Sequence, residues 1–328
     1  MRHRWHALVA ALVVAAAMVL AACGSDDDEK GTTSDTGAAS SGGRNTIQSN
    51  PDNKGKKVTI GSKNFTEEFI LGEIYAQALQ AAGYSVKKQL NLGSEQIALR
   101  ALKRGQVDAY PEYTGTALTS FFKVKAPDVP HDEDQAYEQA KAGFAKLGMT
   151  ALPHTPFTDS NAVAMLKAKA EKLGVKKISD LSDKASSLTF SGTPECPQRP
   201  DCLLGLKETY GLKFKKVVPV DPALRHTVLE KRQADVGIVF STDGQIAQGK
   251  ELVLEDDKKL FPPYNVTLAF RKSALDGLGP DATKTIALVQ KGLTTEAMQE
   301  LNSRVDIDKQ TPKKVAHDYL VESGYLKK

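Results

Sequence analysis

The sequence predicts an α/β protein built of two lobes. Three observations carry that expectation. From Lys56 onward, short β-branched runs alternate with helical stretches, which argues for largely parallel sheets with helices packed on them. The stretch Val58–Gln80, VTIGSKNFTEEFILGEIYAQALQ, is one such unit: a strand, a polar turn and the start of a long amphipathic helix. The part expected to fold, about 270 residues, exceeds a typical single domain.

The chain opens with a targeting segment. Arg2 and Arg4 make a positive start, and Ala7–Leu20 is an apolar run of mainly Ala, Val and Leu. The run is short for a transmembrane anchor, and Leu20-Ala21-Ala22-Cys23 has the form of a bacterial lipobox. Residues 1–22 are therefore expected to be a lipoprotein signal peptide, with Cys23 the lipidated first residue of the mature chain. Residues 23–55 are expected to be a flexible tether. Asp26–Glu29 is an acidic run, and the Gly, Ser, Thr and Asn residues after it leave Ile47 nearly alone as a side chain to bury. Stable attachment takes two or more acyl signals, so the expectation is a soluble domain held at the extracytoplasmic face of the cell membrane, in the periplasm or its equivalent.

The leader carries two arginines and no acids, so its removal lowers the formal charge from +4 to +2. No strong field remains to argue for nucleic acid or acidic lipid. The single tryptophan, Trp5, leaves with the leader, so an aromatic ligand box must be built from Tyr and Phe. Cys196 and Cys202 remain as an even pair in an exported chain, five residues apart in between, and a disulfide is expected; two free thiols are the alternative. With Pro197 and Pro200 such a bridge would stiffen the loop that presents Arg199.

In the opening unit the strand is Val58-Thr59-Ile60, ended by Gly61-Ser62. Asn64 followed by Glu67 predicts a capping box, after which Phe69, Ile70, Ile74 and Ala78 recur at helical spacing. Lys63, Asn64 and Thr66 thus lie where a strand ends and a helix begins, the place where open α/β sheets bind ligands. Ser85–Leu92 reads as a second strand, and Ser94 as the cap of a helix carrying Ile97, Leu99, Ala101 and Leu102 to near Gly105. A strand-like stretch over Val107–Tyr113 and a helix over Thr114–Phe122 follow. Asp132–Leu147 reads as a charged amphipathic helix with Ala136, Ala140, Phe144 and Leu147 inward. Further strands are expected at Asn161–Leu166, Ser187–Ser191, Val217–Val220, Asp235–Ser241 and Thr267–Phe270. Two helices near 281–302 and 312–323 close the chain.

Enzyme templates find no match: there is no G-x-x-x-x-G-K-[ST], no H-E-x-x-H and no G-x-S-x-G. His131, His154, His226 and His317 are scattered without metal-ligand spacing and read as surface or structural histidines. Ser191-Gly192-Thr193 has the composition of a small anion-binding loop, which is a common one. Nothing here assembles a nucleophile, a base and an oxyanion site, and neither a metal nor a cofactor is expected.

Four stretches stand out together: GSKNFTEEFILGEI from Gly61, DAYPEYTGT from Asp108, SGTPECPQRPDC from Ser191 and VFSTDG from Val239. In this order they resemble the substrate-binding proteins of osmoprotectant ABC transporters, those for glycine betaine, carnitine, choline and proline betaine. The resemblance covers nearly all of Lys56–Lys328. It implies a class II periplasmic-binding-protein fold, with two α/β lobes joined by two crossovers and a ligand cleft between them. One lobe would be residues 56–155 plus 263–328 and the other 156–262. It also implies a permease and an ATPase as partners, delivery of a compatible solute and no catalysis; a monomer is expected.

The resemblance further implies a ligand site. A quaternary ammonium has no hydrogen to donate, so aromatic faces suit it, while a carboxylate needs fixed donors. The family's box aromatics fall on Tyr113, Phe240 and Tyr264, its carboxylate donors on Lys63, Thr116 and Arg199, and Asp159 matches a position that lends a backbone carbonyl to the cation. Two positions depart from the pattern. Asn161 stands where the family usually has a tyrosine, its fourth box wall, and Phe240 replaces another tyrosine. A less methylated or more polar solute, or another small polar or aromatic one, is the alternative ligand class. A ligand-sensing receptor would share every motif, and a lipoprotein hydrolase would need a catalytic dyad in the cleft.

Overall fold

The computed structural model describes residues 46–125 and 128–327. The expected signal peptide, Trp5, the lipobox with Cys23 and the tether up to residue 45 lie outside the described residues. None of the described helices is long and apolar enough to cross a membrane.

The first lobe begins with β1 (Lys57–Gly61), α1 (Thr66–Ala81), β2 (Ser85–Gln89), α2 (Glu95–Lys103), β3 (Ala109–Tyr113), the single turn α3 (Thr114–Thr116), α4 (Glu133–Lys146) and β4 (Met149–Ala151). The second holds β5 (Asn161–Leu166), α5 (Lys167–Leu173), β6 (Thr189–Gly192), α6 (Leu203–Tyr210), β7 (Lys216–Pro219), α7 (Arg225–Glu230), β8 (Val236–Phe240) and β9 (Glu251–Val253). The chain then returns to the first lobe with β10 (Val266–Arg271), α8 (Lys272–Leu278), α9 (Pro280–Gln290), α10 (Thr295–Asp306) and α11 (Pro312–Glu322). Each lobe has one five-stranded sheet, in the orders β2-β1-β3-β10-β4 and β7-β6-β8-β5-β9.

The sheets are mixed rather than largely parallel. In the first, β2, β1 and β3 run parallel, while β10 lies antiparallel to β3 and β4. The second repeats this, with β5 antiparallel to β8 and β9. The antiparallel strand in each sheet is the one entered directly from a crossover between lobes, which short sequence windows do not reveal. The edge strands β4 and β9, three residues each, were not anticipated.

Helix α1 is the axis of the first lobe. Ile70, Leu71, Ile74, Tyr75, Ala78 and Leu79 are all buried, and α9, α10 and α11 cover the helix away from the sheet. It is enclosed on most sides rather than amphipathic. Gly72 lets α1 lie close to the segment after β2, since a Cβ there would lie 2.7 Å from Leu90 Cδ2. The expected capping box is absent: Phe65 is the residue before the helix and makes no side-chain cap, while Glu67 turns into the cleft. The expected helix over 281–302 is two, α9 and α10, because Gly292 interrupts the run and Thr294 caps the second. Leu147, expected inward, is 39% exposed, because α4 ends before it.

The tether's C-terminal part is also corrected. Ile47 N–H donates to the Tyr325 carbonyl (2.9 Å), Thr46 Oγ1 to the Gly324 carbonyl (3.1 Å) and Asn50 N–H to the Ala82 carbonyl (3.1 Å). Asn53 is buried and donates from Nδ2 to the same Ala82 carbonyl (2.9 Å). Polar residues with little to bury still satisfy carbonyls left open at the ends of α1 and α11.

The two crossovers touch. Thr158 and Asn265 form an antiparallel bridge, Asp159 N–H donates to the Tyr264 carbonyl (3.2 Å), and Tyr264 N–H donates to Thr158 Oγ1 (2.8 Å). Asp159 and Tyr264 are thereby fixed where the lobes meet.

Candidate functional site

The turn between β1 and α1 carries Lys63 into the interior. Its Nζ lies 2.6 Å from Glu112 Oε1 and 3.5 Å from Glu68 Oε1, with a side chain 5% exposed. Its backbone N–H donates to Glu68 Oε2 at 2.8 Å. Burial alone would lower the pKa of this amine, but the Glu112 and Glu68 charges outweigh it and hold the pKa above the usual value. Lys63 is therefore an ammonium, and it sits 4.2 Å from the ring centroid of Tyr113. Glu112, on β3, also accepts from the Tyr110 hydroxyl (2.8 Å) and the Tyr113 N–H (2.7 Å). Glu68 is pushed up to about 8 by burial, only partly offset by Lys63.

From the second lobe comes Arg199, in a loop closed by a disulfide between Cys196 and Cys202, whose Cα atoms are 5.2 Å apart. The loop folds tightly onto α6 because Gly205 has no side chain; a Cβ there would lie 1.8 Å from the Pro200 carbonyl oxygen. Arg199 donates from Nε and Nη2 to the two carboxylate oxygens of Asp201, at 2.8 and 2.7 Å. Its Nη1 faces Glu95 of the first lobe at 3.5 Å. Burial opposes ionisation of Asp201, but Arg199 and the Tyr264 hydroxyl (2.8 Å) keep its carboxyl below the usual range. Asn161 donates from Nδ2 to the Asp201 carbonyl (2.9 Å) and to the Tyr264 hydroxyl (3.3 Å).

The aromatic rings form a connected group. Phe65 stacks on Tyr113, with centroids 6.0 Å apart and planes 26° apart, and lies 5.4 Å from Phe240 of the opposite lobe. The Arg225 guanidinium covers Phe240 at 4.5 Å and is itself held by Asp243. His226 bridges Asp243 (2.8 Å) and Glu251 (2.9 Å); these carboxylates overcome burial and raise its pKa to about 9. His226 is thus an internal structural cation that shares Asp243 with Arg225.

Lys63, Tyr113, Thr116, Asp159, Asn161, Arg199, Phe240 and Tyr264 all line one cavity of about 70 Å³ between the lobes. Both expected anion-binding cations arrive already paired with protein carboxylates, a feature missing from the sequence reading. Phe65, Glu95, Glu112, Asp201 and Arg225 were likewise not singled out, and Glu67 was read only as part of a helix cap. A signal existed for several of them: a buried cation requires a nearby carboxylate, and Glu67, Glu68 and Glu112 stand in the same motifs as Lys63 and Tyr113. Among the described residues no cluster of metal-ligating side chains occurs.

A cavity walled by aromatic rings and edged by neutralised cations, set between two mixed α/β lobes, suits capture of a small zwitterion or cation. Comparison with known proteins agrees with this. Residues 56–322 match the family described as the substrate binding domain of ABC-type glycine betaine transport systems. A glycine-betaine-binding protein of Pseudomonas aeruginosa is 37% identical over 284 residues, covering 83% of this chain and 90% of that protein. The carnitine transport binding protein OpuCC of Listeria monocytogenes is 29% identical over 82% of this chain and 87% of its own. A crystal structure of a glycine betaine/carnitine/choline ABC transporter protein superposes with a TM-score of 0.65 at 28% identity, over 82% of this chain and 99% of that one. With fold, cleft and sequence in agreement over almost the whole folded part, the chain belongs to the substrate-binding family of ABC-type glycine betaine transport systems.

Proposed function

We propose that this protein is the solute-binding lipoprotein of an ABC importer and that its solute is glycine betaine, choline, carnitine or a related quaternary amine. The observation that carries the reading is the convergence of aromatic faces and paired cations on one cavity between the lobes. Tyr113, Phe240 and Tyr264 face the cationic head, where π-faces attract a diffuse charge that cannot form hydrogen bonds. Asp159 lends its backbone carbonyl. A solute carboxylate takes donors left over from the internal pairs: Lys63 has three N–H bonds and Arg199 five, and Glu112 and Asp201 engage only some of them. Thr116 adds a hydroxyl.

The rest of the reading follows from this role. Residues 1–22 are removed, Cys23 carries lipid, and the chain up to residue 45 spaces the domain from the membrane. A monomer delivers its solute to a permease and ATPase, and the protein performs no catalysis. Isothermal titration with glycine betaine, choline and carnitine tests the reading; saturable binding of at least one is expected, and binding of none rejects it. A ligand at 100 times its Kd should add about 2.7 kcal/mol to stability, readable by thermal shift.

Asn161 supports a second reading, in which the solute carries fewer methyl groups or an extra polar group. Its amide replaces a ring face, and both N–H bonds point to protein acceptors, which leaves the Oδ1 acceptor for the solute. Under the first reading Asn161→Tyr tightens trimethylammonium solutes several-fold. Under the second it weakens the native solute, and dimethylglycine binds the wild type better than glycine betaine does.

A further inference from the structure

Phe65 holds a position that its local structure does not call for. It directly precedes α1, in extended backbone (φ −142°, ψ 163°), and makes no side-chain cap. Ser, Thr, Asp or Asn at that site would accept a hydrogen bond from the first turn and stabilise the helix. Nor does the ring serve only the core of its own lobe. It is half-buried, lines the cavity, and stands between Tyr113 of one lobe and Phe240 of the other, at 6.0 and 5.4 Å. Both separations lie within the range of favourable aromatic pairs.

The surroundings of these rings already hold cations. The Lys63 ammonium lies 4.2 Å from the Tyr113 centroid and 5.9 Å from that of Phe65. Arg225 covers a face of Phe240 at 4.5 Å. Two of the expected walls thus each give a face to a protein cation, and Asn161 contributes no ring.

We propose that Phe65 is a wall of the solute box, supplying the aromatic face that Asn161 lacks and doing so only when the lobes are closed. The proposal rests on the betaine-type reading of the cleft. Because Phe65 and Phe240 belong to different lobes and their rings touch at 5.4 Å, a cation seated against the pair meets both rings in the closed state alone, and a ligand shifts a conformational equilibrium by its differential affinity for the two states. Phe65 is therefore a specificity-determining residue for a diffuse cation, and its aromatic character, not its bulk, is what acts.

The test is isothermal titration of the purified protein with glycine betaine and with choline, using Phe65→Leu, Phe65→Tyr and a variant with trifluorophenylalanine at position 65. Leucine keeps bulk and removes the π-face; trifluorophenylalanine keeps the shape and strips the negative potential from the face. Each should weaken both ligands roughly 5- to 10-fold, whereas tyrosine should stay within about twofold of the wild type. Ligand-free melting temperatures should stay close to the wild type in all three. Unchanged affinity in the leucine and trifluorophenylalanine variants overturns the proposal. So does a loss shared equally by the tyrosine variant, or one that follows a fall in ligand-free melting temperature, since either assigns Phe65 to packing. A wild type that binds neither ligand instead rejects the betaine reading itself.

Discussion

The hydroxyl of Thr242, in the second lobe, lies 2.5 Å from Glu67 Oε2 at the start of α1 in the first. The same hydroxyl is 2.7 Å from Asp159 Oδ1, so one hydrogen faces two carboxyl groups. Asn302 of α10 completes the tie, donating to Glu67 Oε2 (2.9 Å) and to the Thr242 carbonyl (3.0 Å). Glu67 also accepts from the Tyr113 hydroxyl at 2.8 Å, which links this contact between the lobes to a proposed wall of the box.

Burial raises the pKa of both Glu67 and Asp159, and the nearby acidic charges add to it. Opening the cleft returns water to Glu67 and lowers its pKa toward the ordinary value, so closure takes up protons. Stabilisation of the closed, ligand-bound form is then complete below the ordinary carboxylate range and declines as pH rises through the raised value. Solute affinity should weaken with rising pH, and Glu67→Gln should flatten the profile; Thr242→Val should weaken binding at every pH. Titrations across a pH series check this, and a flat wild-type profile contradicts it.

Lys63 and Glu112 are a buried ion pair, and breaking one leaves the other uncompensated. Lys63→Met should cost about 3 kcal/mol of stability, and adding Glu112→Gln should restore most of it. Urea unfolding of the two single variants and the double one closes the cycle. Additive losses would mean that the pair is not coupled.

The Cys196–Cys202 bridge spans few residues, so in the chain-entropy model it contributes only about 2 kcal/mol. Its larger effect should be on Arg199. Replacing both cysteines by alanine should weaken glycine betaine, which has a carboxylate, several-fold more than choline, which has none. Equal losses for the two solutes in parallel titrations would detach the loop from carboxylate binding.

Residues 46–55 are part of the folded domain. A chain beginning at Thr46 should melt as the longer protein does, while one beginning at Lys56 should lose about 1 kcal/mol or more. It forfeits the backbone bonds from Ile47 and Asn50 and the buried Asn53 amide. Thermal melting of both chains decides it; equal midpoints would return this segment to the tether.

Much of the fold was legible from local pattern. Asn161–Leu166 was placed as a strand at both ends, since side-chain period and turn residues act over a few positions. The antiparallel insertion of β10 beside β3 was not, because it pairs Val266 with Tyr113 across the whole second lobe. The helix cap failed for a related reason: Glu67 can reach back to the helix start or forward to Tyr113 and Thr242, and only the packed cleft offers the second set of partners.

The residue types that meet in the cleft were set by the sequence alone: rings without tryptophan, Lys63 and Arg199, and an amide at position 161 in place of a ring. Tertiary structure alone decided their electrical state. Lys63 and Glu112 are 49 residues apart in the chain yet 2.6 Å apart in space, and Arg199 meets Asp201 from its own loop and Glu95 from the opposite lobe. A charge cannot stay buried without such a partner, and no local pattern names a partner that the fold must first bring near.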